Sequence, residues 1–106
     1  MTTFDDREKA EEARYKHDQE FQFKVMARRN KLLGMWAAEQ MGMATAEAEA
    51  YAKEVVISDF DEPGDDDVLR KVLGDLTKNS VTCDEHSLRQ EMDRLLSVAT
   101  EQVKAE

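Results

Sequence analysis

Apolar positions fall into four stretches at helical spacing. Phe21, Val25, Leu32, Met35 and Trp36 recur at three- and four-residue steps, and Leu33 and Ala37 widen that face. They predict a helix from Phe21 to about Gln40, stopped by Gly42, with Arg28, Arg29 and Lys31 mostly off the stripe. Ala48, Tyr51, Ala52, Val55 and Val56 predict a second helix, with Thr45 as N-cap and an end near Ser58. Val68, Leu69, Val72, Leu73 and Leu76 mark a third, and Leu88, Met92, Leu95, Leu96, Ala99 and Val103 a fourth. Thr82 with Glu85 three residues on forms a capping box ahead of the fourth. Between the second and third lies Asp59 to Asp67, an acidic run around Pro63-Gly64. It reads as a turn whose later Asp residues favour a helix N-terminus. Four amphipathic helices with short connections predict an all-α fold, a small four-helix bundle.

The first twenty residues differ from the rest. Asp5, Asp6, Arg7, Glu8, Lys9, Glu11, Glu12, Arg14, Lys16, Asp18 and Glu20 are charged, and the large apolar side chains are Met1, Phe4 and Tyr15. The segment cannot bury enough surface to offset the entropy of ordering it. It is helix-prone all the same, without Gly or Pro, with Glu12 four before Lys16 and Glu20 four before Lys24. Thr3 is a candidate cap. The expected organisation is a flexible, helix-prone N-terminal segment over residues 1–20 and a bundle over 21–106. The bundle folds without the segment, and the segment becomes ordered against a partner.

Composition narrows the function. The 106 residues hold 15 Lys and Arg against 24 Asp and Glu, a net charge of -9. That balance argues against nucleic acid as a main partner and against docking on an anionic membrane. No apolar run approaches the roughly 20 residues that span a bilayer, so no direct membrane insertion is expected. The acidic start carries no visible secretory signal, and Cys83 stands alone, which fits a reducing, cytoplasmic setting.

Candidate chemistry is sparse. An EF-hand loop opening at Asp59 would place Gly64 correctly at its sixth position. It fails at Pro63, where a ligand belongs, and at Arg70, where a bidentate Glu is required. Cys83 and His86 are too few for zinc, and as a nucleophile pair they sit beside Asp84 and Glu85, which raise a thiol pKa. No glycine-rich phosphate loop exists, and no catalytic constellation survives. Arg28, Arg29 and Lys31 form the one basic cluster. As a solvated face it pairs with nearby acids; as a site it takes a nucleotide phosphate or an acidic protein surface. Trp36 lies on the helical stripe and reads as core. Tyr15, on an uncored stretch, faces a partner, and Phe4 is its candidate companion.

Phe4-Asp5-Asp6-Arg7-Glu8, His17-Asp18 and the run Ala27-Arg28-Arg29-Asn30-Lys31-Leu32-Leu33-Gly34-Met35-Trp36-Ala37-Ala38 resemble the zeta subunit of alphaproteobacterial F-type ATP synthases. The likeness continues through Tyr51 to Val56 and Ser58-Asp59-Phe60. It implies a four-helix bundle with an N-terminal inhibitory segment that enters the catalytic interface of the enzyme's head. There it blocks ATP hydrolysis and reverse rotation and leaves synthesis running. The implied partners are the alpha, beta and gamma subunits, with the chain peripheral to the inner membrane through that head. The partner-binding residues so implied are Phe4, Asp5, Asp6, Arg7, Glu8, Lys9, Glu12, Tyr15, His17 and Asp18. No cofactor is needed; the resemblance adds weak ATP or ADP binding on the bundle, with Arg28, Arg29 and Lys31 as the candidate contacts. The competing reading is a nucleotide-responsive helical module without strong inhibition.

Overall fold

The computed structural model describes the backbone of residues 3–61 and 65–106, and the side chains of 18–59 and 65–106. Four helices follow one another: α1 (Thr3–Gln40), α2 (Thr45–Asp61), α3 (Asp65–Lys78) and α4 (Glu85–Lys104). No strand occurs among the described residues. The all-α four-helix architecture expected from the periodicity is what the chain adopts.

The apolar stripes of α3 and α4 face inward as their spacing requires. Val68, Leu69, Val72 and Leu76 are buried on α3, and Leu88, Met92, Leu95, Ala99 and Val103 on α4. Each Val, Leu or Met among them contributes about 1.5–3 kcal/mol on full burial. α1 packs on all three other helices, and α3 bridges α2 and α4. A main core joins Leu33, Ala37, Val55, Val72, Leu76 and Leu88, with Trp36 half-buried against it. A smaller cluster of Val25, Ala99 and Val103, flanked by Phe21 and Leu96, fastens α1 to the end of α4.

Several boundaries move. The helix expected from Phe21 begins at Thr3 and runs unbroken for 38 residues to Gln40. At 1.5 Å per residue that is about 57 Å, which accounts for most of the molecule's 65 Å long dimension. α2 continues past Ser58 to Asp61, and α3 starts at Asp65, so most of the acidic run lies within helix ends rather than in a loop. Pro63 and Gly64 lie outside the described residues. Thr45 is the first residue of α2, and the first amide bond runs from Ala48 to the carbonyl of Ala44 at 2.8 Å. The capping box at Thr82 is displaced. Asp84 is the N-cap of α4, and its carboxylate accepts from the Ser87 amide at 2.7 Å. Asp outranks Thr as a cap, and this Asp sits two residues closer to the stripe. The proposed Thr3 cap involves a side chain outside the described set.

Gly42 does end α1. It takes φ +74°, with Met43 N–H bonded to Ala38 O at 3.0 Å and Gly42 N–H to Glu39 O at 3.1 Å. This is a Schellman ending. α3 ends the same way, with Val81 N–H on Leu76 O and Ser80 N–H on Thr77 O, but Ser80 holds the left-handed position at φ 62°. Gly42→Ala is expected to lose about 1 kcal/mol, because a Cβ disfavours that backbone region. Ser80→Gly is expected to gain less than that, since added unfolded-state freedom offsets part of the relief. Urea denaturation of both variants measures the pair. An unchanged midpoint for Gly42→Ala would show that the turn relaxes without penalty.

Candidate partner-binding site

Of the proposed N-terminal contacts, Phe4, Asp5, Asp6, Arg7, Glu8, Lys9, Glu12, Tyr15 and His17 carry side chains outside the described residues. Asp18 is described and is exposed. Their shared backbone is the first half of α1. The first buried side chain among the described residues is Val25.

The basic cluster separates into three destinations. Arg28 turns to the C-terminal end of α4, donating to Gln102 Oε1 at 3.0 Å and pairing with Glu106. Arg29 is only 1% exposed, contrary to its expected place off the stripe. Its Nε donates to Asn30 Oδ1 at 2.8 Å, and its terminal nitrogen donates to Asp65 Oδ1 at 2.8 Å. Lys31 stays exposed. The three therefore do not converge on one phosphate-sized site.

Asn30 is buried as well, and its Nδ2 donates to Asp59 Oδ2 at 3.1 Å. A chain of bonds thus runs Asp59–Asn30–Arg29–Asp65. It ties α1 to α2 and to α3 on both sides of the 62–64 connection. Two carboxylates of the acidic run that invited a calcium reading, Asp59 and Asp65, hold this network, while Asp66 takes Arg89 at 3.0 Å and Asp67 takes Arg70 at 2.7 Å. Among the described residues no group of three or more His, Cys, Asp or Glu is placed to hold a metal ion. Sequence reasoning missed the buried pair Arg29–Asn30. The signal was a gap: the apolar stripe skips from Val25 to Leu32, and residue 29 stands four from both Val25 and Leu33.

Tyr51 contributes to the seam between α2 and α3. Its hydroxyl donates to Asp75 Oδ2 at 2.7 Å, and Lys71 Nζ sits 5.3 Å from the ring centroid. Burial first, and then the bond to Asp75, push its pKa far above the ordinary tyrosine value, so the hydroxyl remains a donor. Burial also pushes the Cys83 thiol up, with the Asp84 carboxylate adding to it. That direction works against a thiolate nucleophile. His86 is exposed.

The chain is thus a small all-α helical bundle entered by one long helix, and among the described residues every buried side-chain polar atom has a hydrogen-bond partner. Comparison with known proteins makes this specific. The chain belongs to the ATPase inhibitor subunit zeta family, whose sequence profile matches residues 1–102. Among curated proteins none matches it. A solved structure, a solution NMR structure of a protein 49% identical to this chain, superposes with a TM-score of 0.70 and covers 79% of this chain and 95% of that one. Membership of an inhibitor family associates the chain with the ATP synthase complex and with inhibition of ATPase activity. Among the described residues no helix is long and apolar enough to cross a membrane.

Proposed function

We propose that the chain inhibits ATP hydrolysis by inserting the first half of α1 at the catalytic interface of the ATP synthase head, in contact with the alpha, beta and gamma subunits. The observation that carries this reading is the zeta-family match over residues 1–102, which includes a charged first twenty residues without an apolar stripe, continuous with the bundle through α1. In this reading the first half of α1 acts as a wedge. It binds one conformational state of the motor more tightly than the others and so holds the motor there. No covalent step is required of it.

Binding energy has few sources in such a segment. Exposed ion pairs each return about 0–1 kcal/mol. Phe4 and Tyr15 are its large aromatic side chains and supply the desolvated contacts. Tyr15→Ala is expected to weaken inhibition about 5- to 150-fold, the equivalent of roughly 1–3 kcal/mol. Deleting residues 1–19 is expected to remove inhibition and leave the bundle's melting curve in place. The assay is ATP hydrolysis by purified enzyme at graded inhibitor concentrations. Parent-like inhibition by Tyr15→Ala together with lost inhibition by a folded Trp36→Ala would move the working surface onto the bundle. The nucleotide-responsive alternative has less support, because Arg28 and Arg29 already hold Glu106 and Asp65 and leave Lys31 as the open member of the cluster.

A further inference from the structure

Two hollows, one of about 650 Å³ on the α1–α2 seam and one of about 370 Å³ between α1 and the Val103–Glu106 end of the chain, share Lys31 and Val56 and form one groove. Phe23 and Ile57, each 59% exposed, are the large apolar side chains that stand most open among the described residues, and both line it. Charge converges on the same place. Seven of the described basic residues hold a carboxylate: Arg28, Arg29, Arg70, Lys71, Arg89, Arg94 and Lys104. Lys24, Lys31, Lys53 and Lys78 hold none, and the first three line the groove. In a chain of net charge -9, three unneutralised lysines beside exposed apolar surface are a local reversal of the overall field.

We propose that this groove docks an acidic amphipathic helix belonging to a subunit of the ATP synthase, a second contact separate from the N-terminal segment. This rests on the reading above that the chain binds that enzyme. The stretch of α1 along the groove, Phe23 to Met35, is about 18 Å long, matching a helix of three to four turns. Lys24 and Lys31 lie seven residues apart on one face of α1, so carboxylates two turns apart on the incoming helix meet both, while Lys53 closes the far rim from α2. Val56 and Ile57 receive its apolar face. Glu49 is the acid on the rim that no base holds, and it orients the incoming charge toward the lysines. A second copy of this chain fits poorly, because a twofold contact would set Lys24, Lys31 and Lys53 against themselves. A nucleic acid or an anionic membrane would meet the charge of the whole chain rather than the groove.

The test uses the full chain and purified intact ATP synthase. Binding is measured at low and high salt for the parent, for the triple variant Lys24→Glu/Lys31→Glu/Lys53→Glu, and for Lys78→Glu as the control off the groove. The triple variant is expected to bind at least about tenfold more weakly at low salt and to lose most of the salt dependence, with Lys78→Glu matching the parent. A photo-crosslinking residue at exposed Ile57 is expected to join an acidic helical segment of an enzyme subunit. This readout also decides the matter if the triple variant fails to fold. Parent-like binding by the triple variant overturns the groove proposal alone, as do crosslinks that join two copies of the chain or fall on a basic segment. Absence of binding by the parent overturns the groove and the inhibitor reading together.

Discussion

Asp65→Ala is expected to destabilise the bundle by about 3 kcal/mol, more than removal of the arginine that Asp65 holds. Arg29 is enclosed at the meeting of α1, α2 and α3, with its side chain 2% exposed, whereas the Asp65 side chain is 50% exposed. Removing the carboxylate leaves a buried guanidinium without its counter-charge, a change that costs about 3–5 kcal/mol when burial is complete. Water reaching the exposed half of the site places the value at the lower end. Asp65 also stands in the first turn of α3, where its charge complements the helix dipole, so α3 loses that support as well. Arg29→Met is expected to cost less, about 1–2 kcal/mol. It keeps the aliphatic packing, lets Asp65 hydrate, and strands only the Asn30 Oδ1 acceptor. The double variant should then be more stable than Asp65→Ala alone. Thermal melts resolve this ordering, since each kcal/mol moves the midpoint by about 4–8 °C in a domain of this size. An Arg29→Met variant less stable than Asp65→Ala would mean that the arginine serves the fold through packing rather than charge.

That network also marks where the sequence could be understood and where it could not. The stripes of α3 and α4 were legible because each buried residue is apolar and the period is unbroken from Val68 to Leu76 and from Leu88 to Val103. α1 was harder. Its buried face includes Arg29, Asn30 and Gly34, none of which scores as apolar, so the stripe centred on Leu32, Met35 and Trp36 instead. In the structure those three are half-buried and Leu33, Ala37 and Ala38 are fully enclosed. The error is one residue of rotation, about 100° on a helix. Arg29 and Asn30 are buried because Asp59 and Asp65 meet them. Those partners lie 29 and 36 positions away, which no local pattern encodes. The same acids explain why the interhelix run looked like a loop: its charge was counted as solvated, whereas two of its four described carboxylates, Asp59 and Asp65, bond to α1. The first twenty residues were set apart by the absence of a stripe, yet their helix joins the bundle without a break at Phe21. What it contacts is a property of the partner and is not written in this chain.

Gly34→Ala and Gly74→Ala make the same chemical change and are expected to move stability in opposite directions. Both glycines lie inside helices with ordinary negative φ, so backbone conformation does not separate them. Surroundings do. A Cβ on Gly34 would lie 2.6 Å from the Ala52 Cα, with the Ala52 Cβ at 3.2 Å and a Val55 methyl at 3.3 Å. The nearest atom is backbone and cannot rotate away, so α2 must shift off α1 along the seam that also forms the groove floor. Overpacking of this kind costs about 1–3 kcal/mol and occasionally more. The gain in helix propensity returns about 1 kcal/mol. The backbone contact at 2.6 Å places the cost at the upper end, so a net loss of about 2 kcal/mol follows for Gly34→Ala, and more for any larger side chain. A Cβ on Gly74 meets nothing within 4 Å, on the exposed side of α3. Gly74→Ala therefore keeps the full propensity gain and is expected to stabilise by about 1 kcal/mol. Urea denaturation of the two variants should separate them by about 3 kcal/mol. Gly34→Ala should also slacken the α1–α2 seam, which faster amide exchange at Ala52 and Val55 would register. Equal stabilisation by both substitutions would show that α1 and α2 do not approach as closely in solution as Gly34 and Ala52 require.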